Sequence, residues 1–238
     1  MTRNDLNLVP VPEETRTYKP ISTNLIFQTI DKLADKNNLY IKQELFDVKQ
    51  KGQMQRMRFI FDTDHPKFAF EVAIMNSYNK TISLRVGSGS SAAICWNLQV
   101  MAPFKIQEKH TGEVREDLLE FLTDSFKIQQ EQIQNAQTLW SALDYVILSK
   151  KEISQLAGRM FFEEKLIGAD QAMILRRELE KPSFNYDYNP ESLNSLYQHT
   201  TFAIQNEHPT TFLQTQQGVQ SFFVDTYEEI TNNKLILV

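Results

Sequence analysis

The strongest constraint on this chain is a change of hydrophobic period partway along it. From Tyr40 to Met101 apolar and polar residues alternate. After Pro103 the apolar residues recur three and four apart and keep doing so to the end. Period two marks half-buried strands and the longer period marks amphipathic helices. A run of strands followed by a run of helices is the pattern of an α+β protein, here a curved antiparallel sheet of about five strands with helices over one face and a helical C-terminal half.

Within the alternating part, Tyr40–Val48 and Met54–Phe61 flank Lys51-Gly52-Gln53 and form an antiparallel hairpin. Asp62–Pro66 is a turn by composition, and Lys67–Ser77 is a third strand with Phe68, Phe70, Val72 and Ile74 on one face. Tyr78-Asn79-Lys80 closes a tight hairpin, since asparagine tolerates positive φ. Thr81–Val86 returns as the fourth strand. Gly87-Ser88-Gly89-Ser90-Ser91 reads as a flexible bend that lets the sheet curl, and Ala92–Met101 as a fifth strand.

Upstream, residues 1–20 carry Pro10, Pro12 and Pro20 without apolar periodicity. They predict an extended arm that is either loose or laid along the body by Val9, Val11 and Tyr18. Residues 21–112 comprise a first helix, N-capped at Thr23 and closed by Lys36-Asn37-Asn38, together with the meander. Residues 113–238 are helical and pack on the sheet in one continuous domain. They comprise a long or broken helix from Glu113 to Leu148 and a helix opened by the capping box Ser149–Glu152 and stopped at Gly168. Helices over Ala169–Glu180, Leu193–Ile204 and Thr211–Ile230 follow.

With 238 residues the chain can bury a substantial core, and 41% apolar with 23% charged residues excludes wholesale disorder. No apolar run approaches the roughly 20 residues a membrane helix needs. The first residues carry no apolar signal region, and a single cysteine suits a reducing compartment, so a cytoplasmic protein is expected. The formal charge of −5 weighs against a dedicated nucleic-acid binder, although basic residues gather between Arg56 and Arg115.

Residues able to carry chemistry are sparse. His65, His110, His199 and His208 are scattered and Cys95 stands alone, so neither a metal site nor a cofactor is expected. Cys95, in an apolar strand beside Trp96, reads as a buried structural thiol; a Cys95/His110 nucleophilic pair is the competing reading. Gly87–Ser91 lacks the lysine and following helix of a phosphate loop. No acid–base set is placed for catalysis, and an enzyme ranks below a binding role.

One constellation points to binding. Arg56 and Arg58 share a strand face by parity, Lys80 occupies a hairpin tip, and Arg85 lies on the next strand. Lys105, Lys109 and His110 follow the sheet, and Tyr78 is available for stacking on a base. If these converge they form a groove that neutralises phosphates; if they do not, they are ordinary solvent-facing charges.

Asn76, Ser77, Tyr78, Lys80, Gly87, Cys95 and Asn97 together resemble the turn, strand and Cys-x-Asn motif of the DUF932 family of phage- and plasmid-like proteins. Tyr18–Thr23, Lys109–Gly112, Leu196–Thr201 and His208-Pro209 resemble further family motifs. Two positions depart from the pattern: Leu98 stands where the family has glycine, and Gln198 where it has asparagine. The resemblance implies a phage or mobile-element origin and no defined reaction. The expected function is a nucleic-acid-binding accessory of replication or DNA recombination, able to bind or anneal single-stranded DNA. The alternative is a protein-interaction module such as an inhibitor of a host defence factor. Expected partners are accordingly a single-stranded nucleic acid or a host or phage protein, with homo-oligomerisation left open and no membrane.

Overall fold

A computed structural model of the chain describes residues 1–92, 98–99, 105–108, 112–185 and 188–236, of which 98–99 and 105–108 are described by backbone alone. The fold is α+β: an open antiparallel sheet and, among the described residues, eight α-helices.

The N-terminal arm is not wholly extended. Thr2 and Asp5 exchange hydrogen bonds as a capping box and start a short helix, α1 (Arg3–Asn7). Five residues are too few for an apolar period to show, so the Thr-x-x-Asp spacing was the only sequence signal. Arg3 then ties α1 to the body through Asp31, at 2.7 Å, and Glu44. Further along the arm, Val9 lies over Gly52, where a Cβ would stand 2.6 Å from the valine methyl and where φ is +88°. Helix α2 (Thr23–Lys36) is capped by Ser22, whose hydroxyl accepts from Leu25 N at 3.2 Å. The expected cap, Thr23, is the first helical residue, and its hydroxyl instead reaches Asn7 at 3.1 Å.

Four long strands build the sheet in sequence order: β1 (Ile41–Lys49), β2 (Met54–Phe61), β3 (Phe68–Ser77) and β4 (Leu84–Ala92). Two short segments, β5 (Leu98–Gln99) and β6 (Lys105–Glu108), both pair with β4. Of the expected fifth strand over Ala92–Met101, Ala92 ends β4 and Leu98–Gln99 pair with β4; the remaining residues lie outside those described.

The predicted bend at Gly87–Ser91 is strand instead, with Gly87 opposite Ala73 and Ser91 opposite Ala69. Its small residues answer crowding rather than a turn. A Cβ on Gly87 would lie 2.7 Å from a Leu213 methyl, and Ser88 accepts a hydrogen bond from Gln132 at 2.9 Å on the opposite face.

Both faces of the sheet are covered, which corrects the expectation of helices on one face only. The first face carries Met57, Phe59, Phe61, Phe70, Val72 and Ile74 and packs under α2, α3 (Val114–Lys127) and α4 (Gln129–Asp144). Phe126 lies edge-on to Phe61 and Phe70, with ring centroids 5.1 and 5.3 Å away, the geometry that aromatic quadrupoles favour. On the second face, Met54, Ala73, Met75 and Ile82 meet Phe212 and Leu213 from the first turn of α8 (Phe212–Thr231). Every residue of β2 and β3 is consequently buried. Alternation in β2 records polarity, and its polar residues are turned inward.

The helical half follows the sequence closely. The 113–148 stretch breaks at Ile128 into α3 and α4. Ser149 and Glu152 form both bonds of the capping box of α5 (Lys150–Gly158), which continues as a π-helical turn, Arg159–Glu163, and ends there rather than at the expected Gly168, which instead precedes the next helix. Helix α6 spans Ala169–Glu180 as expected, and α7 spans Leu193–Ala203 with every residue but Phe202 buried. These helices close a second core around Leu139, Leu143, Leu196, Tyr197, Phe222 and Phe223. Among the described residues, no helix is long and apolar enough to cross a membrane.

Candidate nucleic-acid interface

The register of the sheet sets the geometry of the candidate site. Asp47, Arg56, Met75, Arg85 and Gln107 stand in one line across five strands. Leu45, Arg58, Ala73, Gly87 and Lys105 stand in a parallel line two residues along. Arg56, Arg58 and Arg85 thus share the second face of the sheet, and Lys105 is placed by its backbone in the line that holds Arg58.

This face is closed rather than open. Residues 204–211, the connection between α7 and α8, run over it like a strap. Arg56 donates through Nη1 to the carbonyl oxygens of Gln205 at 3.1 Å and Glu207 at 2.9 Å. Its Nη2 lies 3.3 Å from Asp47, and its guanidinium stacks 4.6 Å from the Phe212 ring centre. Arg85 donates to the carbonyl oxygen of Thr210. Its Nε is buried and has no hydrogen-bond partner among the described residues.

Arg58 forms a two-pronged pair with Glu71, Nε to Oε1 and Nη2 to Oε2, the latter at 2.9 Å. Glu71 is wholly buried, and burial pushes its carboxyl up against the pull of Arg58, Ser91 and Arg56. Burial likewise pulls the Arg56 guanidinium down, against Asp47. The Coulombic partners of Arg56 also include Glu207 on the strap.

The remaining candidates sit elsewhere. Tyr78 is buried, and its hydroxyl accepts from the Thr23 backbone at 2.9 Å, so its ring is a fold element rather than a stacking platform. Lys80 is exposed at the hairpin tip in the left-handed conformation, φ 63°, with Nζ 4.5 Å from the Tyr18 ring centre. Lys109 and His110 lie outside the described residues, as does Cys95.

Sequence reasoning missed three features. Lys49 precedes the 3-10 turn at Gln50–Gly52 and Lys51 lies within it; a Gln50–Asn79 side-chain hydrogen bond joins this turn to the Lys80 turn, so three lysines crown one end of the sheet. Two hairpin turns of one meander end on the same side, and that topology was the available signal. Glu178 and His199 form a buried pair 3.8 Å apart in the helical half, with the imidazole pulled below its usual range by burial. Finally, α5 and α6 border an apolar groove of about 1030 Å³ lined by Ile153, Ala157, Ala172, Leu175 and Leu179. Among the described residues, no group of three or more His, Cys, Asp or Glu is placed to hold a metal ion.

No model of a known protein family, no curated protein and no solved structure matches the chain.

Proposed function

We propose that this chain is a nucleic-acid-binding accessory protein of a phage or other mobile element, engaging single-stranded DNA during replication or recombination. The observation that carries this reading is the shared placement of Arg56, Arg58 and Arg85 on one sheet face, with the Phe212 ring against Arg56 and 5.7 Å from Arg58. Guanidiniums in a row supply planar, multi-donor phosphate contacts, and the buried Phe212 ring holds two of them in place. The exposed lysines Lys49, Lys51 and Lys80 extend the positive surface at the sheet's end. The motif resemblance supports the mobile-element setting.

The test is binding of a fluorescent oligo-dT across a salt series. Affinity falls about 0.7 decades per decade of salt for each phosphate neutralised, so three arginine contacts give a slope of about −2. Absence of binding at about 50 mM salt, where such contacts are strong, overturns the reading.

A second reading, a protein-interaction module such as an inhibitor of a host defence factor, is favoured by the α5–α6 groove and by Phe162, 74% exposed on the turn that follows α5. It predicts a stoichiometric complex with one host protein that Ile153→Glu abolishes while DNA binding is unchanged. A complex that survives Ile153→Glu removes the groove from consideration.

A further inference from the structure

We infer that residues 204–211 are a displaceable cover over the arginine row, and that binding a phosphodiester chain is coupled to lifting this strap. The inference rests on the proposed DNA-binding function and adds its regulation.

Three observations carry it. The first is the chemistry of the strap's contacts. Its hydrogen bonds to Arg56 and Arg85 come from the main-chain carbonyls of Gln205, Glu207 and Thr210. These are neutral acceptors, whereas a phosphate oxygen is a charged one that makes hydrogen bonds roughly twice as strong. Each carbonyl occupies a position that a phosphate oxygen fills more favourably, and the buried Arg85 Nε remains as a further donor.

The second is charge. The sheet itself provides Asp47 and Glu71 against Arg56, Arg58 and Arg85. The third nearby carboxylate, Glu207, belongs to the strap, where it accepts from the Thr211 hydroxyl at 2.7 Å, and one side-chain hydrogen bond from Gln171 of α6 ties it to the body. Lifting the strap therefore leaves the sheet face with an excess positive charge at the moment a polyanion needs it.

The third is how lightly the strap is held. Between Ile204 and Phe212 only Pro209 is buried, while Asn206, His208 and Thr211 are exposed. Phe212 and Leu213 remain seated against Met54, Ala73 and Met75 as the hinge-side anchor. A segment with little apolar burial between two buried ends opens locally without global unfolding.

The experiment is hydrogen exchange on the full chain with and without oligo-dT, alongside affinity measurements on Glu207→Gln and Pro209→Gly. Within the strap, Gln205 N is held by Phe202 O, Glu207 N by Ile204 O and Thr211 N by His208 O. Exchange at these amides is expected to rise severalfold on binding. Both variants are expected to bind about tenfold more tightly, because loosening the closed form raises the competent fraction. Tightening is the opposite of what structural damage produces, and two independent variants guard against misfolding of one. Binding with unchanged strap exchange and unchanged variant affinities overturns the cover and leaves the DNA on another surface, such as the lysine-bearing sheet end. No binding by the wild type or either variant overturns the cover together with the function it serves.

Discussion

Glu71→Gln is the perturbation whose consequence the structure fixes best. Arg58 and Glu71 are 6% and 0% exposed and joined at both prongs of the guanidinium. Replacing the carboxylate with an amide keeps the volume and removes the charge, leaving a buried guanidinium beside the Phe212 ring without the Glu71 carboxylate. Breaking a buried pair from one side costs about 3–5 kcal/mol, because the survivor cannot recover its hydration. A domain's total stability is about 5–15 kcal/mol, so the variant is expected to lose about a fifth of it or more. Urea unfolding followed by circular dichroism reads this directly as a lower midpoint at constant slope. A loss below about 1 kcal/mol refutes the reasoning, since it requires Arg58 to reach water through a face described as closed.

Gly87→Ala places a methyl 2.7 Å from Leu213 and is expected to cost about 1–3 kcal/mol, with Leu213→Val relieving part of it in a double-mutant cycle. Tyr78→Phe strips the acceptor from the Thr23 amide and should lower stability by about 1–3 kcal/mol, read as a thermal shift, without altering the sheet-end lysines. His199, whose folded-state pKa lies below its ordinary 6.5, gives stability that is full above about pH 6.5 and is lost as pH falls from there through the depressed value. His199→Gln should flatten that part of the pH–stability profile; an unchanged profile refutes the assignment.

The helical half was legible because each helix carries its own signals: the Ser149–Glu152 capping box, the glycine before Ala169, and apolar stripes that need only one neighbour. Strand β3 was legible to within a residue for the same reason. What lay hidden was what covers the sheet. Arg56 and Arg58 alternate with Met57 and Phe59 in the way that solvent-facing residues do, and period two cannot distinguish water from an internal counter-ion. The distinguishing signal lay one strand away, in Glu71, a lone acid inside Phe-Ala-Phe-Glu-Val-Ala-Ile. Antiparallel pairing sets it opposite Ile60, diagonal to Arg58. Gly87–Ser91 misled in the other direction, because small residues serve close approach of Leu213 and Gln132 as well as they serve turns.

A purely architectural arginine row is poorly explained by energetics. A buried pair such as Arg58–Glu71 is matched or exceeded in stability, by about 1–4 kcal/mol, when both members give way to apolar residues of similar volume. If the row serves only the fold, Arg58→Met with Glu71→Leu should fold and bind DNA as the parent does. If the row serves phosphate, the same double variant should unfold at an equal or higher urea midpoint and yet bind oligo-dT more weakly, with the salt slope smaller by about 0.7. Stability and binding then move in opposite directions in one protein, an outcome that neither global damage nor a nonspecific loss of positive charge at the lysine-bearing sheet end produces. Unchanged affinity and slope in a stable double variant would return Arg58 and Glu71 to architecture and leave the exposed lysines as the basic surface to test.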